Sequence, residues 1–151
     1  MPSAPIGLEL SRTARVITQA FERALAEAGG SVAAWQVLLL VRSRQWGRQS
    51  EMAEAMGVTG ATLTHHLNAL ERQGLVRRWR EDSNRRVQRV ELTDAGINMF
   101  DRLRKVAVAH DRRLRSQLGE GDAELLSELL EKLRSGVGAV AGLGTRTDGP
   151  A

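Results

Sequence analysis

The chain of 151 residues contains no cysteine and no tyrosine, and only two phenylalanines and three tryptophans. Without cysteine, disulfides, thiolate metal ligands and sensing by thiol oxidation are all excluded. So few aromatics within an ordinary hydrophobic content of 42% leave a core of Leu, Val and Ala, which favours helices over a β-sandwich. Long apolar runs are also missing. The nearest is Val37 to Val41, five residues, against the roughly 20 that a membrane-spanning helix needs. Residues 1–7 lack the basic segment followed by an apolar one that marks a signal peptide. The expectation is a soluble, cytoplasmic protein with a flexible N-terminus over 1–7 and no membrane partner. Its length suits one domain, or a small module with helical extensions.

Charge of one sign is nearly absent as a bulk property: the formal net charge is +4. Its distribution is more informative. Arg72 to Arg89 holds seven arginines against Glu81 and Asp82, a local +5 that exceeds the net charge of the whole chain. Such concentration is the footprint of a phosphate-binding surface, or of a hairpin kept soluble by charge.

Leu10, Ala14, Ile17, Phe21, Leu25 and Ala28 recur at three- and four-residue spacing, which predicts an amphipathic helix over 8–28. Gly29-Gly30 ends it and Ser31 caps a second helix over 32–44. That helix is apolar on nearly all sides and so belongs at the centre; Trp35 on it is either core or pocket wall. Ser50 suits the cap of a short third helix that ends near Gly57. Thr59 caps a fourth, which runs to Gln73 and stops at Gly74. Residues 76–81 and 86–92 read as two strands joined by Asp82-Ser83-Asn84. A long helix follows from Thr93-Asp94, with Phe100, Leu103, Ala107, His110, Leu114 and Leu118 on one stripe. A break at Gly119-Glu120-Gly121 precedes a last helix capped by Asp122 and lined by Leu126, Leu129, Leu130 and Leu133. From Gly136 onward glycines are frequent and the pattern is lost, which predicts a disordered tail over 138–151.

The chemistry lies in the third and fourth helices and the hairpin. Gly57, four residues after the small Ala53, allows the tight turn of a helix-turn-helix, whose second helix enters the DNA major groove. On that second helix Leu63, Leu67 and Leu70 point inward. At about 100° per residue, Ala61, His65, Asn68 and Arg72 point outward, flanked by Thr62, Thr64 and Ala69. Small hydrogen-bonding groups near a helix N-terminus suit base edges and phosphates. Asn68 is a candidate partner of adenine and His65 a donor to guanine or phosphate; each is otherwise an ordinary exposed polar residue. His65 and His66 diverge by about 100° on a helix, and His110 lies on an apolar stripe, so no metal site is expected. No nucleophile with a nearby base, no phosphate-binding glycine loop and no metal cluster is visible, which argues against an enzyme and a cofactor. The rival to DNA reading is a winged-helix scaffold for protein contacts.

Residues 8–137 resemble the MarR family of bacterial winged-helix regulators. The resemblance is carried by Ala34-Trp35-Gln36-Val37-Leu38, Met52-Ala53, Met56-Gly57-Val58 and Thr62-Leu63-Thr64-His65-His66-Leu67. Leu70-Glu71-Arg72-Gln73-Gly74-Leu75-Val76 and Asn84-Arg85-Arg86 leading to Leu92-Thr93 complete it. It implies a mainly α fold with a small β-hairpin wing. The winged helix-turn-helix would span 31–93, flanked by dimerisation helices over 8–30 and 94–137. It further implies a homodimer on a pseudo-palindromic operator in double-stranded DNA. The recognition helix (Thr59, Ala61, Thr62, Thr64, His65, Asn68, Arg72) would enter the major groove and the wing tip (Arg85, Arg86) the minor groove. Similar proteins usually repress, and many release DNA on binding a small aromatic or phenolic effector. Arg15, Trp35, Arg42 and Trp46 are the candidates for lining such a pocket. Two residues depart from the family pattern: Asn84 stands where an Asp commonly pairs with a wing arginine, leaving Asp82 as the substitute acid. His65 stands where many relatives have arginine. The absence of cysteine argues against the peroxide-sensing branch.

Overall fold

The structure, a computed structural model, describes residues 3–43 and 49–143, with backbone alone over 139–143. The order is α1 (Ile6–Glu27), α2 (Val32–Ser43), α3 (Gln49–Met56), α4 (Gly60–Arg72), β1 (Val76–Arg80), β2 (Gln88–Leu92), α5 (Asp94–Arg115) and α6 (Asp122–Leu143). It is a mainly α protein with one two-stranded antiparallel hairpin, the winged helix-turn-helix that the sequence predicts. Residues 1–110 and 111–151 form two separate units.

In the first unit, α2 touches α1, α3, α4 and β2, as its apolar composition requires. Val37 and Leu38 are fully buried, whereas Leu39, in the middle of the apolar run, is exposed. Around α2 the core collects Leu25 from α1, Met52 and Ala53 from α3, and Leu63, Leu67 and Leu70 from α4. Leu75, Val76, Met99, Phe100 and Leu103 complete it. Apart from Phe100 these side chains are aliphatic or methionine, so the buried core draws little on aromatic rings.

Local signals set most of the boundaries. Ser31 Oγ accepts from Ala34 N–H at 3.1 Å and caps α2. Thr59 Oγ1 accepts from Thr62 N–H at 3.1 Å and caps α4, satisfying a donor that the helix itself leaves unpaired. Between α3 and α4, Gly57 has φ +67°, a conformation that side chains with a Cβ avoid. This lets Gly57 N–H reach Glu54 O and Val58 N–H reach Ala53 O, closing α3. Thr93 ties the hairpin to α5: its N–H donates to Leu75 O at 3.1 Å, and its hydroxyl accepts from Gly96 N–H. A Cβ on Gly96 would lie 1.9 Å from Leu75 O, so only glycine allows α5 to start this close to β1.

Four boundaries differ from the sequence expectation. α1 begins at Ile6, so the last two residues of the expected flexible stretch are helical. Ser50 lies inside α3 rather than capping it. The strands are shorter than expected, because the pairing ends at Arg80↔Gln88. The last helix passes through Gly136 and Gly138 to Leu143, so the tail expected from 138 is helical for its first six residues; residues 144–151, and the expected end of α2 at Arg44, lie outside the described residues. The helix survives because interior glycine costs only about 1 kcal/mol each relative to alanine, which neighbouring turns can absorb.

In the second unit, Asp122 opens α6 and its carboxylate accepts Gly119 N–H at 2.8 Å. Arg115 bonds Asp111 at 2.8 Å. No single helix among the described residues is long and apolar enough to cross a membrane; α1 and α2 pass that test only as a pair, and they are bent by 78°.

Candidate nucleic-acid interface

The buried stripe of α4 fixes which of its faces meets solvent. Leu63 and Leu67 are 0% exposed and Leu70 is 3%, so the helix has one rotational setting in the core. Thr59, Ala61, Thr62, Thr64, His65 and Arg72 are then exposed, while Asn68 and His66 are half-buried. Thr62 is held twice, since its hydroxyl also accepts from Thr59 Oγ1 at 3.0 Å. That leaves the Thr62 hydroxyl hydrogen free to point outward at the helix N-terminus, where the dipole favours phosphate. The rings of His65 and His66 lie 5.9 Å apart and tilted by 57°, closer than their helical spacing suggests. Among the described residues no group of three or more His, Cys, Asp or Glu could hold a metal ion.

The hairpin sorts its arginines by the pairing register. Val76 pairs with Leu92, Arg77 with Glu91, Arg78 with Val90 and Trp79 with Arg89. On one face Arg77 binds Glu91 and stands 5.1 Å over the Trp79 ring, and Arg89 binds Glu81. On the other, Arg78 reaches back to α4: its Nε donates to Glu71 Oε2 at 2.9 Å and its Nη2 donates to the side-chain oxygen of Asn68. Of the seven arginines between 72 and 89, Arg77, Arg78 and Arg89 are thus neutralised by acids. Arg72, Arg80, Arg85 and Arg86 carry no ion pair among the described residues. Arg80 instead donates to the backbone oxygen of Arg85 at 2.8 Å, bracing the tip.

The tip itself is an Asx turn. Asn84 Oδ1 accepts Arg86 N–H at 3.1 Å and Asn84 O accepts Val87 N–H at 3.0 Å. Asn84 therefore keeps the turn by hydrogen bonding alone. Asp82, the substitute acid expected for the missing ion pair, makes none among the described residues. Arg85 and Arg86 are both exposed, with their backbones fixed and their guanidinium groups unpaired. The arrangement offers a polar helix N-terminus for base edges beside a rigid cationic tip for phosphates.

The candidate pocket residues are not brought together in the same way. Arg15 is exposed on α1 and Arg42 is exposed at the end of α2. Trp35 is half-buried, packs against the core and stacks on Phe100, centroids 5.5 Å apart at 15°. Among the described residues no hydrogen bond or ring contact joins the three, and Trp46 lies outside those residues. The Arg78–Glu71 and Arg78–Asn68 contacts against the candidate reading helix are what sequence reasoning missed. A signal existed: Arg78 is a charge on the same strand face as Val76 and therefore needs a partner from the core side.

Three kinds of relative frame this geometry. The family model described as MarR family matches residues 31–87. The HTH-type transcriptional regulator PecS of Dickeya dadantii is 27% identical over 127 residues, covering 82% of this chain and 76% of that protein. Among solved structures, the transcriptional repressor CouR bound to a 23-mer DNA duplex superposes with a TM-score of 0.78 at 30% identity, over 86% of this chain and 92% of that one. CouR from Rhodococcus jostii RHA1 with p-coumaroyl-CoA gives 0.73 at 26% identity, over 85% and 90%. The Mycobacterium tuberculosis protein Rv2887 with salicylic acid gives 0.65 at 28% identity, over 87% and 98%.

Proposed function

Since the chain belongs to the MarR family of transcriptional regulators, we propose that it is a homodimeric repressor that binds a pseudo-palindromic operator and releases it to a small aromatic or phenolic effector. The observation that carries the DNA-reading part is the pairing of an exposed polar helix N-terminus (Thr59, Ala61, Thr62, Thr64, His65) with unpaired Arg85 and Arg86 on a braced tip. The helix enters the major groove of double-stranded DNA and the tip follows the phosphates into the adjacent minor groove. Arg72, at the far end of α4, adds a phosphate contact.

The dimer reading is supported by apolar surface that the chain alone leaves uncovered. Ile6, Leu8 and Val16 on α1, and Leu125, Leu126, Leu129, Leu133 and Val137 on α6, are all exposed. We take 8–30 and the helices beyond 94 as the dimerisation elements and 31–93 as the reading module. The effector class rests on CouR and Rv2887, which are bound to p-coumaroyl-CoA and salicylic acid respectively. The protein would work in the bacterial cytoplasm, on the nucleoid.

Binding to labelled DNA from the protein's own upstream region tests the reading. With roughly six to ten phosphate contacts, affinity falls about 10³- to 10⁵-fold between ~50 and ~200 mM salt. Arg85→Ala and Arg86→Ala each weaken binding to all sequences and lower the salt slope by about 1. Salt-insensitive binding, or none, sinks the proposal.

A further inference from the structure

Asn68 stands on the outward face of α4, but its carbonyl oxygen already accepts a hydrogen bond from within the protein. The Arg78 side chain is only 12% exposed and its guanidinium binds two α4 side chains one turn apart, Glu71 and Asn68. A guanidinium donates and never accepts. The group that Asn68 turns toward it is therefore the carbonyl oxygen, and the amide NH₂ is the end left for any ligand. Pairing with adenine uses both ends, the oxygen accepting from N6 and the NH₂ donating to N7. Here the adenine amino group would have to share an oxygen already bound to a cation, using its second lone pair with a charged donor alongside. Guanine O6 and N7, or thymine O4, present only acceptors to that NH₂ and gain from the nearby positive charge.

We propose that Arg78 is a positioning residue that holds the Asn68 carbonyl and leaves its amide NH₂ toward the DNA, favouring an acceptor-bearing base edge over adenine. The same contact holds the Glu71 carboxylate against Arg78, which keeps an acid on the reading helix from repelling phosphate. This proposal rests on sequence-specific DNA binding, and deepens it at one residue.

Selection of bound sequences from a random duplex pool by the full chain tests it, with wild type, Asn68→Ala, Arg78→Lys and Arg78→Gln compared in parallel. Wild type should prefer G or T at one position in each half of its motif. Asn68→Ala should flatten that position alone by about threefold to tenfold, the worth of one hydrogen bond. Arg78→Gln removes the cation and leaves at most one neutral donor near the carbonyl, so adenine should rise at that position and nowhere else. Arg78→Lys, which keeps a cation beside Asn68, should retain the acceptor preference; loss of stability alone would move neither variant in this base-specific way. If Arg78→Gln does not fold, Arg78→Met takes its place, and a folded variant without the cation that shows no rise of adenine overturns the proposal. A wild-type motif with adenine at the position, or a motif that Asn68→Ala leaves unchanged throughout, overturns the proposal while sequence-specific binding stands. No motif from wild type overturns both.

Discussion

α4 and α6 are both leucine helices with apolar residues three and four apart, yet the fold treats them oppositely. In α4, Leu63, Leu67 and Leu70 are between 0% and 3% exposed; in α6, Leu125, Leu126, Leu129 and Leu133 are between 38% and 52% exposed. Burying one leucine contributes about 1.5–3 kcal/mol, so α4 is anchored in the core of the first unit, whereas no described leucine of α6 is buried. A row of uncovered leucines on an otherwise polar helix is a surface that waits for a partner. The spacing of leucines therefore says which side of a helix is apolar, but not whose side chains will cover it. The contrast also separates two tasks. α4 must hold one rotational setting to aim its polar face, whereas α6 is free to face another molecule.

The largest effect expected from this contrast is at Leu67. Leu67→Ala should lower stability by about 2–5 kcal/mol, because the cavity it leaves in the core closes only in part. Urea unfolding at fixed protein concentration measures it. The same truncation at Leu129 should act mainly on dimer dissociation. Equal losses on both assays for both variants would erase the distinction between the helices.

What could be read from the sequence divides along the same line. The limits of α4 were legible because Thr59 and Gly74 act on backbone groups within one turn of themselves. So was its outward face, since Leu63, Leu67 and Leu70 fix the rotation by period alone. Arg78 was not legible in this way. Its partners follow from which face of β1 packs on α4, a long-range fact that the run of arginines hides. The division of seven arginines into paired and unpaired likewise depends on the register that sets Arg77 opposite Glu91. Leu39 shows the converse: an unbroken apolar run predicted full cover, but a helix touching four elements still leaves one line of residues outside. The glycines at 136 and 138 misled because weak helix propensity is a bias, and seven more residues continue the helix to Leu143 beyond Gly136.

Next in size is the charge-inserting change on the uncovered stripe. Leu126→Glu with Leu129→Glu should convert a dimer to a monomer in sedimentation equilibrium and leave the helical content of α1–α5 intact. Operator affinity should fall at least about tenfold, since two half-site contacts no longer act from one linked unit. A double variant that still sediments as a dimer would move the interface away from this stripe, with the exposed Ile6 and Val16 of α1 as the next candidates.

The smallest effect concerns how the polar side of α6 is held. Glu131 accepts from Arg134 at 2.6 Å and from Ser135 at 3.2 Å. Its carboxyl is held below the ordinary glutamate value, first by the Arg134 hydrogen bond, then by Ser135 and by the Arg134 charge. The sign follows from linkage. A carboxyl with a depressed folded-state pKa binds fewer protons folded than unfolded. Its stabilising contribution is therefore complete above the unfolded value and is lost as pH falls through the folded one. Both side chains are exposed, so salt screens the pair and the contribution is small. Following the Glu131 carboxyl carbon by NMR should give a titration midpoint below that of an unstructured glutamate. Arg134→Met should raise that midpoint, and added salt should raise it in wild type but scarcely in the variant. An unchanged midpoint in Arg134→Met would show that Arg134 does not hold the Glu131 carboxyl and that the polar side of α6 lacks this local support.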